Sequence, residues 1–372
     1  MNKNTSSRFW KRFRKNNAAI VSLVFIVMVI LIAIFAYPLS PDHSEDANTT
    51  ILEIGTRKAG FSCLLLKRFT TPLKEKRTVI SFLILGEEVN YELIPITSYK
   101  ILNDSVYVNH IIDEQMTEPL SFSIQHLFSN ETEMPLGKEL EESIIIHRTF
   151  WLGTDRYGRD VLSRLLIGAR VSMAVGFIAV LISIFIGVLL GSLSGYFGGW
   201  TDQLITWLIN VIWAIPTLLL VFAITFALGK GFWQIFVAVG FTMWVGTARL
   251  IRGQVMSLKE LEYIQAAKAM GFSSMRIIGK HILPNVLGPT IVMAASNFAT
   301  AILIEAGLSF LGIGVQPPVS SWGLMIKENY NFIITNHPML AIIPGLAIML
   351  IVLAFNLLGN ALRDALDVKG SV

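Results

Sequence analysis

Cysteine and charged side chains are scarce in this sequence, and each scarcity disfavours a class of protein. The single cysteine, Cys63, cannot form a disulfide within the chain, and the six histidines are scattered without the spacing of a metal site. Only 15% of the 372 residues are charged, against about a quarter in soluble domains. Disulfide scaffolds, zinc sites, redox chemistry and ordinary soluble folds are therefore disfavoured, and we expect no metal and no cofactor in this chain.

The sequence also lacks the motifs of an enzyme. The G-x-x-x-x-G-K-[ST] loop that cradles nucleotide phosphates is missing; the nearest fragments, at 229–231 and 279–281, do not satisfy it. His147, Asp155 and Asp160 could be assembled into an acid–base site, but no nucleophile motif accompanies them and each Asp has an Arg four residues later. We predict no catalytic residue.

Long apolar runs are the main feature that is present. Hydrophobic residues make up 53% of the sequence, and they are bunched into runs long enough to cross about 30 Å of hydrocarbon. We place these runs at about 18–37, 171–194, 204–228, 232–248, 286–312 and 339–360. The predicted fold is an all-α polytopic membrane protein with six transmembrane helices.

Charge next to the first run sets the predicted orientation. Residues 1–37 begin with six basic residues and no acidic one, and the run that follows is too long for a signal peptide and has no clear cleavage site. We therefore expect a retained first span in the cell membrane, with both termini cytoplasmic. The net charge of +4 does not indicate nucleic acid, because the basic residues lie beside the apolar runs.

Residues 38–150 differ from the rest of the chain in charge and pattern. They contain seventeen acidic residues against ten basic ones, which favours the outer side of the membrane. Val89, Tyr91 and Leu93 alternate with polar residues, a pattern typical of a strand. We predict a small inserted extracytoplasmic domain with β content.

Residues 151–170 are predicted to form an interfacial amphipathic helix. Leu162, Leu165 and Leu166 share one helical face, whereas the arginines and aspartates lie largely elsewhere. Thr154 is placed to cap this helix, and Asp155–Arg159 and Asp160–Arg164 have the spacing of ion pairs. The remaining residues, 171–372, are predicted to be a five-helix core.

The loop between the fourth and fifth predicted spans, residues 257–283, has helical spacing but is too polar to cross a membrane. Apolar residues recur every three positions from Leu258 to Ala267, Gly271 interrupts them, Ser273 can cap a second helix, and Pro284 is expected to end it. Alternation of the spans and the excess of basic residues place this loop on the cytoplasmic side. We predict a helix, a bend and a helix.

This loop has the features of a docking element. Ala266 and Ala267 leave little side chain above the backbone, so a partner can approach closely, and Tyr263, Met270 and Phe272 offer apolar anchors. A stiff loop fastened to two spans can transmit the movement of a cytoplasmic partner. The alternative is an interfacial helix that rests on anionic lipid.

The order of these residues resembles a known family. Ala266, Ala267, Gly271, Leu283 and Pro284 match the cytoplasmic loop of ABC importer permeases. "WLGTDRYGRDVLSRLLIGARVS" and "LSFLGIGVQPPVSSWG" are similar to the permease subunits of dipeptide and oligopeptide ABC importers. The resemblance is weak over 1–37 and strong over 151–372. Two positions depart from the general importer pattern, Gln265 where the family usually has Glu and His281 where it often has Ile.

The resemblance implies a type I permease fold and a transporter subunit that is not itself an enzyme. It implies three kinds of partner besides membrane lipid: a homologous second permease, two cytoplasmic ATPase subunits that bind ATP and Mg, and an extracytoplasmic peptide-binding protein. Nine residues are predicted to couple the chain to the ATPases: Tyr263, Gln265, Ala266, Ala267, Met270, Gly271, Phe272, Leu283 and Pro284. Alternatives are a permease for nickel chelates, glutathione or another small solute, and a sensor or assembly subunit built around the outer domain.

Three polar residues within the predicted spans are candidates for the translocation pathway or its gate. Glu305 is costly to bury and therefore indicates either contact with cargo or a gate, or a structural pair with a neighbouring subunit. Asn210 and Asn297 are favoured as hydrogen-bonding residues between helices over a place in the pathway.

Overall fold

The computed structural model describes residues 3–71, 77–113, 116–128, 137–229, 231–335 and 337–366. Two units are distinguished by their internal packing: Met1–Ile30, Ser172–Gln316 and Gly345–Val372 form the first, and Leu31–Val171 and Pro317–Pro344 the second. The predicted cytoplasmic placement of the termini stays a prediction, and residues 1–2 and 367–372 lie outside the described part.

The α-helices, in chain order, are α1 Lys3–Lys15, α2 Asn17–Ile34, α3 Ala36–Leu39, α4 Val79–Leu85, α5 Ile124–Leu127, α6 Lys138–Ile144, α7 Val161–Phe197, α8 Gly199–Trp213, α9 Thr217–Leu228, α10 Phe232–Lys259, α11 Glu262–Ala269, α12 Ser274–Ile277, α13 Leu283–Phe310, α14 Trp322–Asn329 and α15 Met339–Leu366. The strands are β1 Phe61–Phe69, β2 Tyr91–Leu102, β3 Ser105–Asp113, β4 Met116–Ser123 and β5 Ile145–Phe150.

Within the described residues, five helical segments are long and apolar enough to cross a membrane: Asn17–Ile34, Val161–Phe197, Trp233–Lys259, Ser274–Phe310 and Met339–Leu366. The chain is therefore a mostly helical polytopic protein. The run predicted at 204–228 is divided between α8 and α9, which meet at 95°. Pro216 lies at the break; proline lacks the N–H of a helical hydrogen bond and disfavours helical geometry in the residue before it. Counting the bent pair as one span gives up to six.

The predicted interfacial helix at 151–170 is wrong in its bounds. Residues 151–160 form turns, and α7 begins only at Val161 and runs for 37 residues without a break, about 55 Å at 1.5 Å per residue. No proline interrupts this stretch, so nothing separates a surface helix from the span that follows. Thr154 does not cap a helix; its hydroxyl donates to the carbonyl of Ile54 at 2.5 Å and accepts from the amide of Arg57 at 2.8 Å.

A β-sheet lies in the predicted inserted domain. In the ranges that the structure describes, five strands form one antiparallel sheet in the order β4-β3-β2-β1-β5. Both faces of β1 are covered: Cys63 and Leu65 pack with Phe150 on one side, and Leu66 packs with Leu140 of α6 on the other. Successive side chains of a strand point to opposite faces, so this segment has apolar packing on both sides of its sheet.

Candidate functional site

The loop predicted to dock a partner consists of two short helices on either side of a glycine. After α11, Gly271 has φ 77°, and Ser273 occupies the N-cap position of α12. The amide of Gly271 donates to the carbonyl of Lys268 at 3.0 Å, and the amide of Phe272 donates to that of Ala267 at 3.2 Å, which is the hydrogen-bond pattern of a Schellman C-cap. An added Cβ at Gly271 meets nothing within 4 Å, so the positive φ, and not lack of space, favours glycine here.

One side of this loop packs against its own chain. Ile264 and Ala267, each 2% exposed, join a buried apolar cluster with Ile251 and Val255 of α10. The cluster continues through the residues that follow the loop, Ile277, Ile278, Ile282 and Val286. This shared core fastens α11 to both of the long helices that flank it, since moving α11 alone would expose apolar surface.

The other side of the loop is open. Tyr263 and Met270 are 45% and 66% exposed, and Ala266 and Gln265 are exposed as well. The idea that Ala266 and Ala267 together form a small outer face is wrong for Ala267. Adjacent helical residues point about 100° apart, so one alanine faces outward while its neighbour faces the core.

Three further loop residues have partners within the chain. The Gln265 amide donates to the carbonyl of Lys259 at 2.9 Å, a bond that a glutamate at this position cannot donate when ionised. The Phe272 ring is partly buried and lies 6.3 Å from that of His281. The Tyr263 hydroxyl accepts from the Asn285 amide at 3.3 Å, which joins α11 to α13.

Leu283 and Pro284 lie at the start of α13, and Pro284 does not end a helix as predicted. Ile278–Ile282 form a π-helical turn, so helix continues from Ser274 to Phe310. The Leu283 amide donates to the carbonyl of Ile278, five residues earlier, so the hydrogen-bond register shifts just before the proline. Pro284 then falls in the first turn of α13, where a missing N–H costs little.

The three candidate pathway residues have different surroundings. Asn297 of α13 is buried, and its amide donates to the hydroxyls of Ser183 in α7 at 3.0 Å and of Thr247 in α10 at 3.1 Å. Asn210 is exposed on α8 and accepts from the Arg249 guanidinium at 3.3 Å. Both therefore bond to neighbouring helices.

Glu305 is fully buried and accepts from two serine hydroxyls. Ser172 donates to Oε2 at 3.2 Å and Ser309 donates to Oε1 at 2.8 Å. Ser309 also accepts from the amide of Val315 at 3.0 Å. The carboxyl group thus helps to hold the end of α13 and the turn that follows it.

A buried network of four charged side chains lies where an interfacial amphipathic helix was predicted. Arg159 contacts Asp155 at 2.6 Å and Glu328 of α14 at 2.7 Å. Arg164 contacts the same two carboxylates at 3.3 and 3.1 Å. The predicted Asp155–Arg159 pair is present, although in a turn. The other carboxylate that Arg159 contacts, Glu328, lies 169 positions away in the sequence, and no local pattern indicates this contact.

The second ion pair predicted in this segment, Asp160–Arg164, is replaced by other contacts. Asp160 is buried and accepts from the amide of Ser163 at 2.9 Å and from the hydroxyl of the same residue. Burial raises the pKa of Asp160 above its ordinary value, and the bonds from Ser163 oppose that rise. Arg164 instead forms ion pairs with Asp155 and Glu328.

Two family models match this chain. One is described as the binding-protein-dependent transport system inner membrane component and matches residues 187–369. The other is described as the N-terminal TM domain of oligopeptide transport permease C and matches residues 5–52. The first match includes the loop and the three candidate pathway residues, whereas the β-sheet lies between the two matches.

Curated relatives are similar to more than half of this chain. The dipeptide transport system permease protein DppC of Alkalihalophilus pseudofirmus is 45% identical over 219 residues, which cover 59% of this chain and 72% of that protein. The glutathione transport system permease protein GsiD of Pectobacterium atrosepticum is 44% identical over 220 residues, with the same shares of each chain. Among solved structures, a chain of the inward-facing methionine ABC transporter MetNI is 21% identical, with a TM-score of 0.42 over 54% of this chain and 96% of that one.

Proposed function

Because this chain belongs to the family of dipeptide and oligopeptide ABC importer permeases, we propose that it forms half of a translocation pathway through which peptides enter the cell by ATP-driven transport. The observation that carries this proposal is the loop at 257–283. It is packed on one side against α10 and α13 and open on the other, as a subunit that receives force from a partner requires.

The proposed pathway is lined by six transmembrane helices of the type I importer arrangement. Five helical segments qualify individually, and we take the bent pair α8–α9 as the sixth span. This count returns the C-terminus to the side of the N-terminus. The basic start of the chain supports a cytoplasmic location for both ends.

The permease is not catalytic itself, and its partners are proposed to supply the work. Two cytoplasmic ATPase subunits bind ATP and Mg, a homologous second permease completes the pathway, and an extracytoplasmic binding protein delivers the peptide. Tyr263, Ala266 and Met270 form the open side of the loop and are proposed to meet the ATPase. Ile264 and Ala267 carry the movement inward, since they belong to the core that joins the loop to α10.

The remaining candidate site residues receive supporting roles. We propose that Gln265 stabilises the end of α10 through its bond to Lys259 and makes no ion pair with the ATPase. Asn297 and Asn210 hold neighbouring helices together. Glu305 positions the end of α13 through Ser172 and Ser309 instead of contacting cargo.

Glutathione is the second candidate cargo, because a relative named as a glutathione transport permease is 44% identical, almost as similar as the dipeptide permease.

The proposed function is tested by reconstitution of this chain, the second permease and both ATPases into vesicles with the binding protein outside and ATP inside. We expect uptake of a labelled dipeptide that excess unlabelled dipeptide suppresses and that disappears when ATP is omitted. Uptake without ATP would overturn the proposal, and uptake of glutathione but of no dipeptide would replace the cargo.

A further inference from the structure

The N-terminal helix α1 is a basic amphipathic helix whose binding partner the transport function does not specify. Lys3–Lys15 contains no acidic residue and six basic ones: Lys3, Arg8, Lys11, Arg12, Arg14 and Lys15. Because all the charges on this short helix are positive, anions outside the helix must balance them.

The connection between α1 and α2 fixes the place of this charge. Asn16 alone separates the two helices; its amide donates to the carbonyl of Phe13 at 3.1 Å, and its side chain accepts from the amide of Ala19 at 3.2 Å. Because α2 is a candidate membrane span, α1 lies within a residue of where the chain enters the bilayer. Six charges are too costly to bury in hydrocarbon, so α1 belongs at the membrane surface.

Aromatic side chains attach α1 to the end of the last long helix. Phe13 is buried against Ala361 and Ala365 of α15, and Phe9 packs at the same place with its ring 5.9 Å from that of Phe13. This contact fixes which side of α1 faces the protein. The opposite side is left open.

That open side carries charge and an interfacial aromatic residue. Lys11, Arg14 and Lys15 are all exposed. Trp10 is half exposed, and the Arg14 guanidinium lies 5.9 Å from the centre of its ring. Tryptophan is enriched where a membrane meets water, and arginine recognises phosphate oxygens through several N–H groups.

We propose that α1 binds the phosphate-bearing headgroups of anionic phospholipids in the leaflet at which α2 begins. The occupant follows from charge complementarity and from position, because the basic face stands at the bilayer surface, where anionic lipid is concentrated. Through Phe13, the bound lipid also holds the end of α15 that contains Ala361 and Ala365.

The experiment measures lipid selectivity with the full chain. Purified protein in a zwitterionic detergent is incubated with equal amounts of phosphatidylglycerol and phosphatidylcholine, and the lipids retained after gel filtration are quantified by mass spectrometry. We expect phosphatidylglycerol to be retained in excess at low salt and the excess to shrink at high salt, because salt screens exposed charges. Each basic residue that meets a headgroup contributes roughly a fivefold preference.

Matched variants assign the selectivity to α1. The variant K11Q/R14Q/K15Q should lose most of the excess, and K11R/R14K/K15R, which keeps every charge, should retain it. The control K58Q/K100Q/K138Q removes three charges from exposed residues elsewhere and should retain it too. Equal losses in the α1 variant and the control would overturn the proposal. So would displacement of the lipid by inorganic phosphate at constant ionic strength, which would identify a site for the free anion.

Discussion

At the residue scale, Glu328 is a carboxylate that forms ion pairs with two buried arginines. Its contacts with Arg159 and Arg164 are 2.7 and 3.1 Å long, and its side chain is 7% exposed. Glu328→Gln keeps the shape but leaves two guanidinium groups with Asp155 as their remaining carboxylate. We expect the free energy of unfolding to fall by about 3–5 kcal/mol, the cost of breaking a buried ion pair. Thermal unfolding in detergent measures the change.

Glu92 provides the control for this substitution. It pairs with Arg68, but its side chain is 56% exposed, so Glu92→Gln should cost at most about 1 kcal/mol. A shift in the unfolding midpoint that is no larger for Glu328→Gln than for Glu92→Gln would show that the buried network contributes no more than a surface pair.

Asn297 is the second residue whose effect on stability can be predicted. Asn297→Leu removes two hydrogen bonds between helices and leaves the hydroxyls of Ser183 and Thr247 without this donor. Bonds of this kind in membrane proteins contribute about 0.6 kcal/mol on average and up to about 1.7 kcal/mol. We expect a lower unfolding midpoint for Asn297→Leu than for Asn210→Leu, because Asn210 is exposed. Equal midpoints would contradict the packing role.

Single residues differ in how far the sequence predicts them. Asp155 and Arg159 pair as predicted, but in a turn and not on the helix for which a spacing of four indicates a contact. The burial of Arg164 was not predictable, because a polar residue near an apolar stretch is normally solvated and its partner Glu328 is distant in sequence. Glu305 was expected to be costly to bury, but its serine donors are not visible from spacing alone.

At the scale of the element, a substitution at Ala266 tests the coupling role of the loop more sharply than one at Ala267. Ala267→Asp would place a carboxylate in the apolar cluster and disturb the loop itself. Ala266 is exposed on the same helix, so Ala266→Glu adds charge and bulk only to the open side. We expect at least a tenfold fall in ATP-driven uptake with normal insertion into the membrane, measured in reconstituted vesicles.

Ala59→Glu is the matched control, because Ala59 is also exposed and lies in the segment between the two family matches. It should leave uptake within about twofold of the unsubstituted chain, since isolated surface substitutions change stability little. Full uptake by a normally inserted Ala266→Glu chain would contradict a coupling role for this side of the loop.

Elements were predictable where local chemistry decides them. Gly271 ends α11 because the backbone there needs a positive φ, and glycine is the residue that adopts it freely. Proline was less informative: Pro216 lies at a break of 95°, whereas Pro284 fits the first turn of a helix. The difference depends on the hydrogen-bond register of the preceding turn, which the sequence does not reveal.

At the scale of the whole molecule, the sheet can be removed at a defined place. Phe61 and Phe150 are register partners at the ends of β1 and β5, so a short Gly-Ser linker can join them when residues 62–149 are deleted. All the candidate spans and the loop lie outside this range. We expect the shortened chain to insert into the membrane and to copurify with the ATPase subunits. Insertion without copurification would favour an assembly role for the sheet.

The helical part of the molecule was more predictable than the sheet. Membrane spans follow from composition over about 20 consecutive residues, so five of them could be placed from the sequence. The β content followed from alternation near Tyr91, but the strand order did not. β1 pairs with β5, and Phe61 meets Phe150 across 88 intervening positions, a contact that no local pattern specifies.

Site-directed cross-linking tests most directly whether the loop receives force from an ATPase. Because Cys63 is the only cysteine, Cys63→Ser provides a background in which Ala266→Cys is the single thiol. We expect a maleimide that carries a photoreactive benzophenone, attached to the thiol at position 266 and then irradiated, to join this position to an ATPase subunit in the assembled complex. Labelling of position 266 from outside intact cells by an impermeant maleimide, with no adduct to the ATPase, would contradict the proposed function.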